Sequence, residues 1–181
     1  MKKILFALSL VASLLYAEKP PTGVMQFNSF ILDEYFTFKI NPIKTIPCKF
    51  EQIELITLKD RPECLKKKKA IEAYKKDHKK AIENLLKPGK SYYVTLLENQ
   101  KTYYICSVSD NKKNLSQLLV ERGFAMPNTS NKFLLELAKK ARKEARGMFG
   151  GDFKLIGECI VDGTPIPGQE EPDEKVTYYS Y

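Results

Sequence analysis

The chain has 181 residues, 30 Lys+Arg against 22 Asp+Glu, a single histidine and a formal charge of +8. With 43% hydrophobic and 11% aromatic residues it can bury a core, which excludes a disordered tail. The length suits one domain, and one histidine excludes a histidine-rich metal site.

Residues 1–17 read as a secretory signal: Lys2 and Lys3 precede an apolar run from Ile4 to Tyr16, and Ala17 offers a small-residue cleavage site. The run falls short of the roughly 20 residues that span a bilayer. Removing these seventeen residues from 181 leaves 164, with a charge of +6 because the segment holds two lysines and no acid. The expectation is an exported protein, periplasmic or secreted, with one domain over 18–150 and a partly flexible extension over 151–181. Cys48, Cys64, Cys106 and Cys159 are then expected to form disulfides. Four cysteines admit three pairings, of which Cys48–Cys64 with Cys106–Cys159 is the one expected. Their spacing lacks the close pairs of a zinc ribbon or a C-x-x-C redox site.

From residue 24 to 58 the chain is rich in Phe, Ile, Leu and Thr with period-two stretches such as Phe36, Phe38 and Ile40, predicting strands over 24–32, 34–41 and 49–58. Asn41, Pro42 and Pro47 punctuate the last connection. Over 65–86, Ile71, Tyr74, His78, Ala81, Ile82 and Leu85 recur at helical spacing while lysines fill the other positions, predicting an amphipathic helix with a basic outer face. His78 reads as part of its packing face. Pro88 and Gly89 end the helix, and a hairpin follows over 92–98 and 102–109. Helices are predicted at 114–122 and 131–146, stopped by Gly123 and Gly147, then a strand over 153–161 and an extended tail ending in Tyr178, Tyr179 and Tyr181.

A helix inserted between the third and fourth of five strands is the order of the oligonucleotide/oligosaccharide-binding (OB) barrel. The fold class is therefore α+β, mainly β: a five-stranded OB-fold barrel with three helices and a C-terminal strand and tail.

The segment Asn114-Leu-Ser-Gln-Leu-Leu-Val-Glu-Arg-Gly-Phe-Ala125, followed by a helix closing on Ala141-Arg-Lys-Glu-Ala-Arg-Gly-Met-Phe-Gly150, resembles the staphylococcal nuclease (thermonuclease) family. Asp60-Arg61-Pro62-Glu63, after an apolar strand and before a long helix, is similar to the family's D-T-P-E. The resemblance covers roughly residues 30–150. It implies calcium-dependent phosphodiester hydrolysis, which needs oxygen ligands for the ion, a carboxylate to orient water, and cations for the charge developing on phosphorus.

Carried over residue by residue, the resemblance implies metal ligation by Asp60 and by Asp33, the latter on an early turn with no clean counterpart of the family's D-G-D, where Asp33-Glu34 is the nearest candidate and Tyr35 falls at the ligand position. It implies Glu63 as base and Lys101 in place of the hairpin arginine, a substitution that keeps charge but loses bidentate grip. Leu55 stands where the family has an arginine five residues before the Asp, and Arg61 replaces the Thr while offering a substitute cation. Calcium is thus the one cofactor the sequence points to.

With this incomplete set the sequence predicts a catalytically impaired module that binds nucleic acid or an envelope partner. The nucleic-acid strip would be Lys66, Lys67, Lys68, Lys75, Lys76 and Lys79, with Lys69 and Lys80 beside them. Its rivals are a secreted calcium-dependent nuclease and a structural subunit of an envelope assembly.

Overall fold

A computed structural model describes residues 21–31 and 34–166. The expected signal, Asp33 and the aromatic C-terminus lie outside the described residues.

Five strands close a barrel in the order β1 (Thr22–Ile31), β2 (Tyr35–Lys39), β3 (Thr45–Phe50), β6 (Tyr104–Ser109), β5 (Ser91–Asn99). All neighbours are antiparallel except β3 and β6, which pair in parallel through Cys48–Phe50. This is the predicted OB-type barrel. Its interior is aromatic: Phe27, Phe30, Phe36, Phe38, Phe50 and Tyr92 are buried, and the Phe36 and Phe50 rings stack at 4.1 Å. Alternation on β2 is incomplete, because Thr37 is buried too, bonded to the Ser29 carbonyl at 3.1 Å, and Ile40 is exposed beyond the strand.

The predicted strand over 49–58 is two elements. β3 begins earlier, at Thr45, and includes Pro47, which sits outside the β6 pairing and so leaves no ladder bond on that side unmade. At Gln52 the backbone turns to φ 65°, the chain leaves the barrel, and β4 (Ile53–Leu55) pairs instead with β7 (Ala125–Pro127).

Among the described residues four α-helices, not three, surround the barrel. Helix α1 (Lys68–Leu86) buries Tyr74, His78, Ile82 and Leu86, and its Glu83 accepts the Phe30 N–H at 3.0 Å, tying helix to β1. His78 is fully buried, stacked on Tyr74 at 5.3 Å and ringed by Phe30, Phe124 and Phe153. Helices α2 (Leu115–Glu121) and α3 (Lys132–Lys143) start on Asn114 and Asn131, whose side chains accept the first free N–H groups. Gly147 does more than stop α3: at φ 53° it packs on the α2 terminus so closely that a Cβ would meet the Arg122 carbonyl at 2.3 Å.

The predicted strand at 153–161 is helix α4 (Lys154–Asp162). Its inward residues, Phe153, Ile156, Gly157 and Ile160, recur at helical spacing, and a short apolar run does not by itself distinguish the two states. The disulfide pairing is also corrected: Cys48 bonds Cys106, and Cys64 bonds Cys159. The parallel β3–β6 seam brings the first two together, whereas folding the extension back as α4 brings Cys159 to the turn after Asp60. Among the described residues no helix is long and apolar enough to cross a membrane.

Candidate functional site

The break at Gln52 opens a cleft of about 340 Å³ between the end of β3, strand β4 and the turns before β2 and β6. Phe36, Phe50 and Ile105 form its floor; Glu34, Lys49, Glu54, Lys59, Asp60 and Tyr103 are among its polar lining. Leu55 lines it as well.

Two of the charges inside, Glu34 and Lys59, are committed to each other. Lys59 Nζ lies 2.7 Å from Glu34 Oε1, with the Glu34 side chain only 20% exposed. That hydrogen bond holds the Glu34 carboxyl below its usual range and pushes the Lys59 ammonium up. The Tyr35 phenol is raised by the same carboxylate. Lys49 Nζ sits over the rings of Tyr35 and Tyr103, at 5.5 and 4.9 Å, and the two rings lie 5.3 Å apart.

Of the residues singled out from the sequence, Glu34, Leu55 and Asp60 reach this cleft. Pro62–Cys64 forms a single 3-10 turn in which Arg61 and Glu63 pair at 3.8 Å; neither lines the cleft, and the Arg61 guanidinium lies against Gly163 beyond α4. Lys101 occupies the tip of the β5–β6 turn at φ 64°, exposed and outside the lining. Cys64, in the same 3-10 turn, is bolted to α4 by its disulfide. Sequence reading missed Lys49, Lys59 and Tyr103. Only Lys59 carried a signal, as the neighbour of Asp60 in the motif.

Calcium takes six to eight oxygen ligands, roughly, from carboxylates, carbonyls and water. Among the described residues no three His, Cys, Asp or Glu side chains are grouped so as to hold a metal ion. Glu34 is taken by Lys59, and a second ammonium borders the same space. The described residues of the cleft, among which Asp33 is not included, do not by themselves fit a calcium centre.

A second charged feature lies on α1. Lys68, Lys75 and Lys79 recur at seven and four residues along one stripe, and Lys69, Lys76 and Lys80 along the next, both turned away from the buried face. Among the described residues Lys67, Lys68, Lys69, Lys75, Lys76 and Lys80 form no salt bridge, while Lys79 meets Glu83 at 3.8 Å. Lys66 stands just ahead of the helix.

Compared with known families, residues 52–150, more than half the chain, match the family described as staphylococcal nuclease homologue. No curated protein matches the chain.

Proposed function

Because the chain belongs to the staphylococcal nuclease homologue family, we propose that it is an exported member of that family that binds single-stranded nucleic acid along α1 without cleaving it. The observation that carries this reading is the α1 surface. Six of its neighbouring lysines have no partner carboxylate among the described residues, over a helix of 19 residues that runs about 28 Å. A polyanion satisfies such a face by displacing its counterions.

The cleft is the poorer surface for a phosphodiester chain. Glu34, Glu51, Glu54 and Asp60 set four carboxylates against the two ammoniums of Lys49 and Lys59. Loss of catalysis is supported by Leu55 at the position of a family arginine and by Glu63 lying outside the cleft that holds Asp60. Export is supported by the signal-like first seventeen residues and by two disulfides.

The test is retention of single-stranded DNA with and without calcium. Retention without degradation, weakening steeply with salt, is the expected result. Calcium-dependent degradation abolished by Glu63→Gln would establish the secreted nuclease instead. Absence of retention even at low salt would leave an envelope protein as the partner of the basic helix.

A further inference from the structure

We propose that the Lys59 ammonium is the resident cation of the cleft, seated on Glu34 in the place where the family's chemistry calls for a divalent metal. The inference rests on the reading that the cleft is not a metal-dependent catalytic centre, and it is independent of what α1 binds.

Three observations converge on it. First, Lys59 Nζ is 2.7 Å from Glu34 Oε1, within hydrogen-bond distance, and the negative charge of Asp60, the one motif carboxylate in the cleft, also acts on the ammonium. Second, Lys49 stands on the other side of the same space, held over Tyr35 and Tyr103, and its charge too acts on Glu34. A dication entering here meets the ammoniums of Lys49 and Lys59, and the carboxylate of Glu34 that it would need is already bonded to one of them. Third, among the described residues the remaining acids do not gather into a metal-sized group.

The tethered ammonium therefore does what a bound ion does for electrostatics: it neutralises the Glu34 carboxylate at a half-covered cleft. It lacks what a metal does for chemistry. An ammonium has three donors and no vacant coordination position, so it neither activates a water nor takes a phosphoryl oxygen as a Lewis acid.

The experiment is calcium titration of the chelator-washed full mature chain by calorimetry, with thermal unfolding and circular dichroism alongside, for wild type, Lys59→Gln, Lys59→Arg and the double variant Lys59→Gln/Glu34→Gln. Lys59 is 53% exposed on its side chain, so Lys59→Gln is expected to leave the fold intact. Removing one positive charge a few ångströms from a divalent ion raises its affinity at least about tenfold even at the dielectric constant of water. The expected result is that gain in Lys59→Gln, wild-type behaviour in Lys59→Arg, and loss of the gain in the double variant. Calcium binding by wild type that Lys59→Gln leaves unchanged would overturn the proposal, as would a folded Lys59→Gln that binds calcium no better than wild type. Single-stranded DNA retention on the same samples should shift by less than about twofold, since it reads the α1 surface.

Discussion

Helices α1 and α3 are both basic, yet they dispose of their charge in opposite ways. Of the six lysines within α1 only Lys79 forms a salt bridge among the described residues. On α3, Lys139 meets Glu136 at 2.8 Å, Lys140 meets Glu144, and Arg142 grips Asp162 of α4 with both guanidinium nitrogens. Arg146, just beyond, bonds the Glu121 carbonyl at 3.1 Å. On α3, Arg142 fastens the helix to α4 and two lysines pair with acids of the same segment, whereas five of the six α1 lysines face outward with no salt bridge among the described residues. Composition alone does not distinguish the two; the positions of acids at helical spacing and on neighbouring elements do.

The contrast can be broken from the structural side. The α3 region is anchored through α4, whose Cys159 is bonded to Cys64 across 95 residues of sequence. Cys64→Ser with Cys159→Ser is expected to lower unfolding stability by roughly 2–5 kcal/mol, measured by denaturant titration. A loss well under this range would mean that α4 is held by packing alone.

It can be sharpened from the charge side. Lys68, Lys69, Lys75 and Lys76 changed together to Gln should weaken single-stranded DNA retention at low salt at least about tenfold and flatten its salt dependence, with stability unchanged or slightly raised as like charges are relieved. Changing Lys139, Lys140 and Arg142 to Gln should do the reverse, costing stability by about 1 kcal/mol with little effect on retention. Equal effects of the two sets on retention would erase the distinction drawn here.

The smallest effect concerns a committed cation just past the end of α1. Lys90 bonds Asp110 at 2.9 Å, and Asp110 also accepts the N–H groups of Lys112 and Lys113, which holds its carboxyl at about 2. A folded value below the unfolded one, about 3.9, means that the contribution is present above the unfolded value and is lost as pH falls through about 2. Because the pair is solvent-accessible, the stabilisation is expected to stay under about 1 kcal/mol. Asp110→Asn keeps an acceptor for the turn and should remove this acid-side dependence, as followed by unfolding between pH 2 and 5. Neutralising α1 should leave that dependence untouched.

Much of the barrel was legible in the sequence because local and global signals agree there. Phe36 and Phe38 alternate into the core, Asn114 and Asn131 cap helices where the pattern begins, and Gly123 and Gly147 mark their ends. The pattern failed where tertiary pairing overrides it. Nothing local says that the chain breaks at Gln52 and spends Ile53–Leu55 on β7. Ile156, Ile160 and Val161 favour a strand by branching, yet they fold as α4 because one face packs on the core. The disulfide pairing followed the same failure, since Cys64 meets Cys159 only once α4 folds back. At the candidate site the motif gave Asp60 its place, but the Lys59–Glu34 pair and the tyrosines around Lys49 join distant segments, and no spacing rule announces them.

The parallel seam between β3 and β6 is the shortest pairing in the barrel wall, three residues on each strand, and Cys48–Cys106 is placed on it, wholly buried. A barrel that parts along a seam exposes two raw strand edges, each a template for pairing with another molecule. Riveting the shortest seam makes that parting a covalent event. Amide hydrogens of β3 and β6 next to the disulfide are expected to exchange slowly, because the strands cannot move far apart there while the bond is closed. The rivet thus guards against self-association during every transient opening, a protection distinct from any free energy it adds to the folded state.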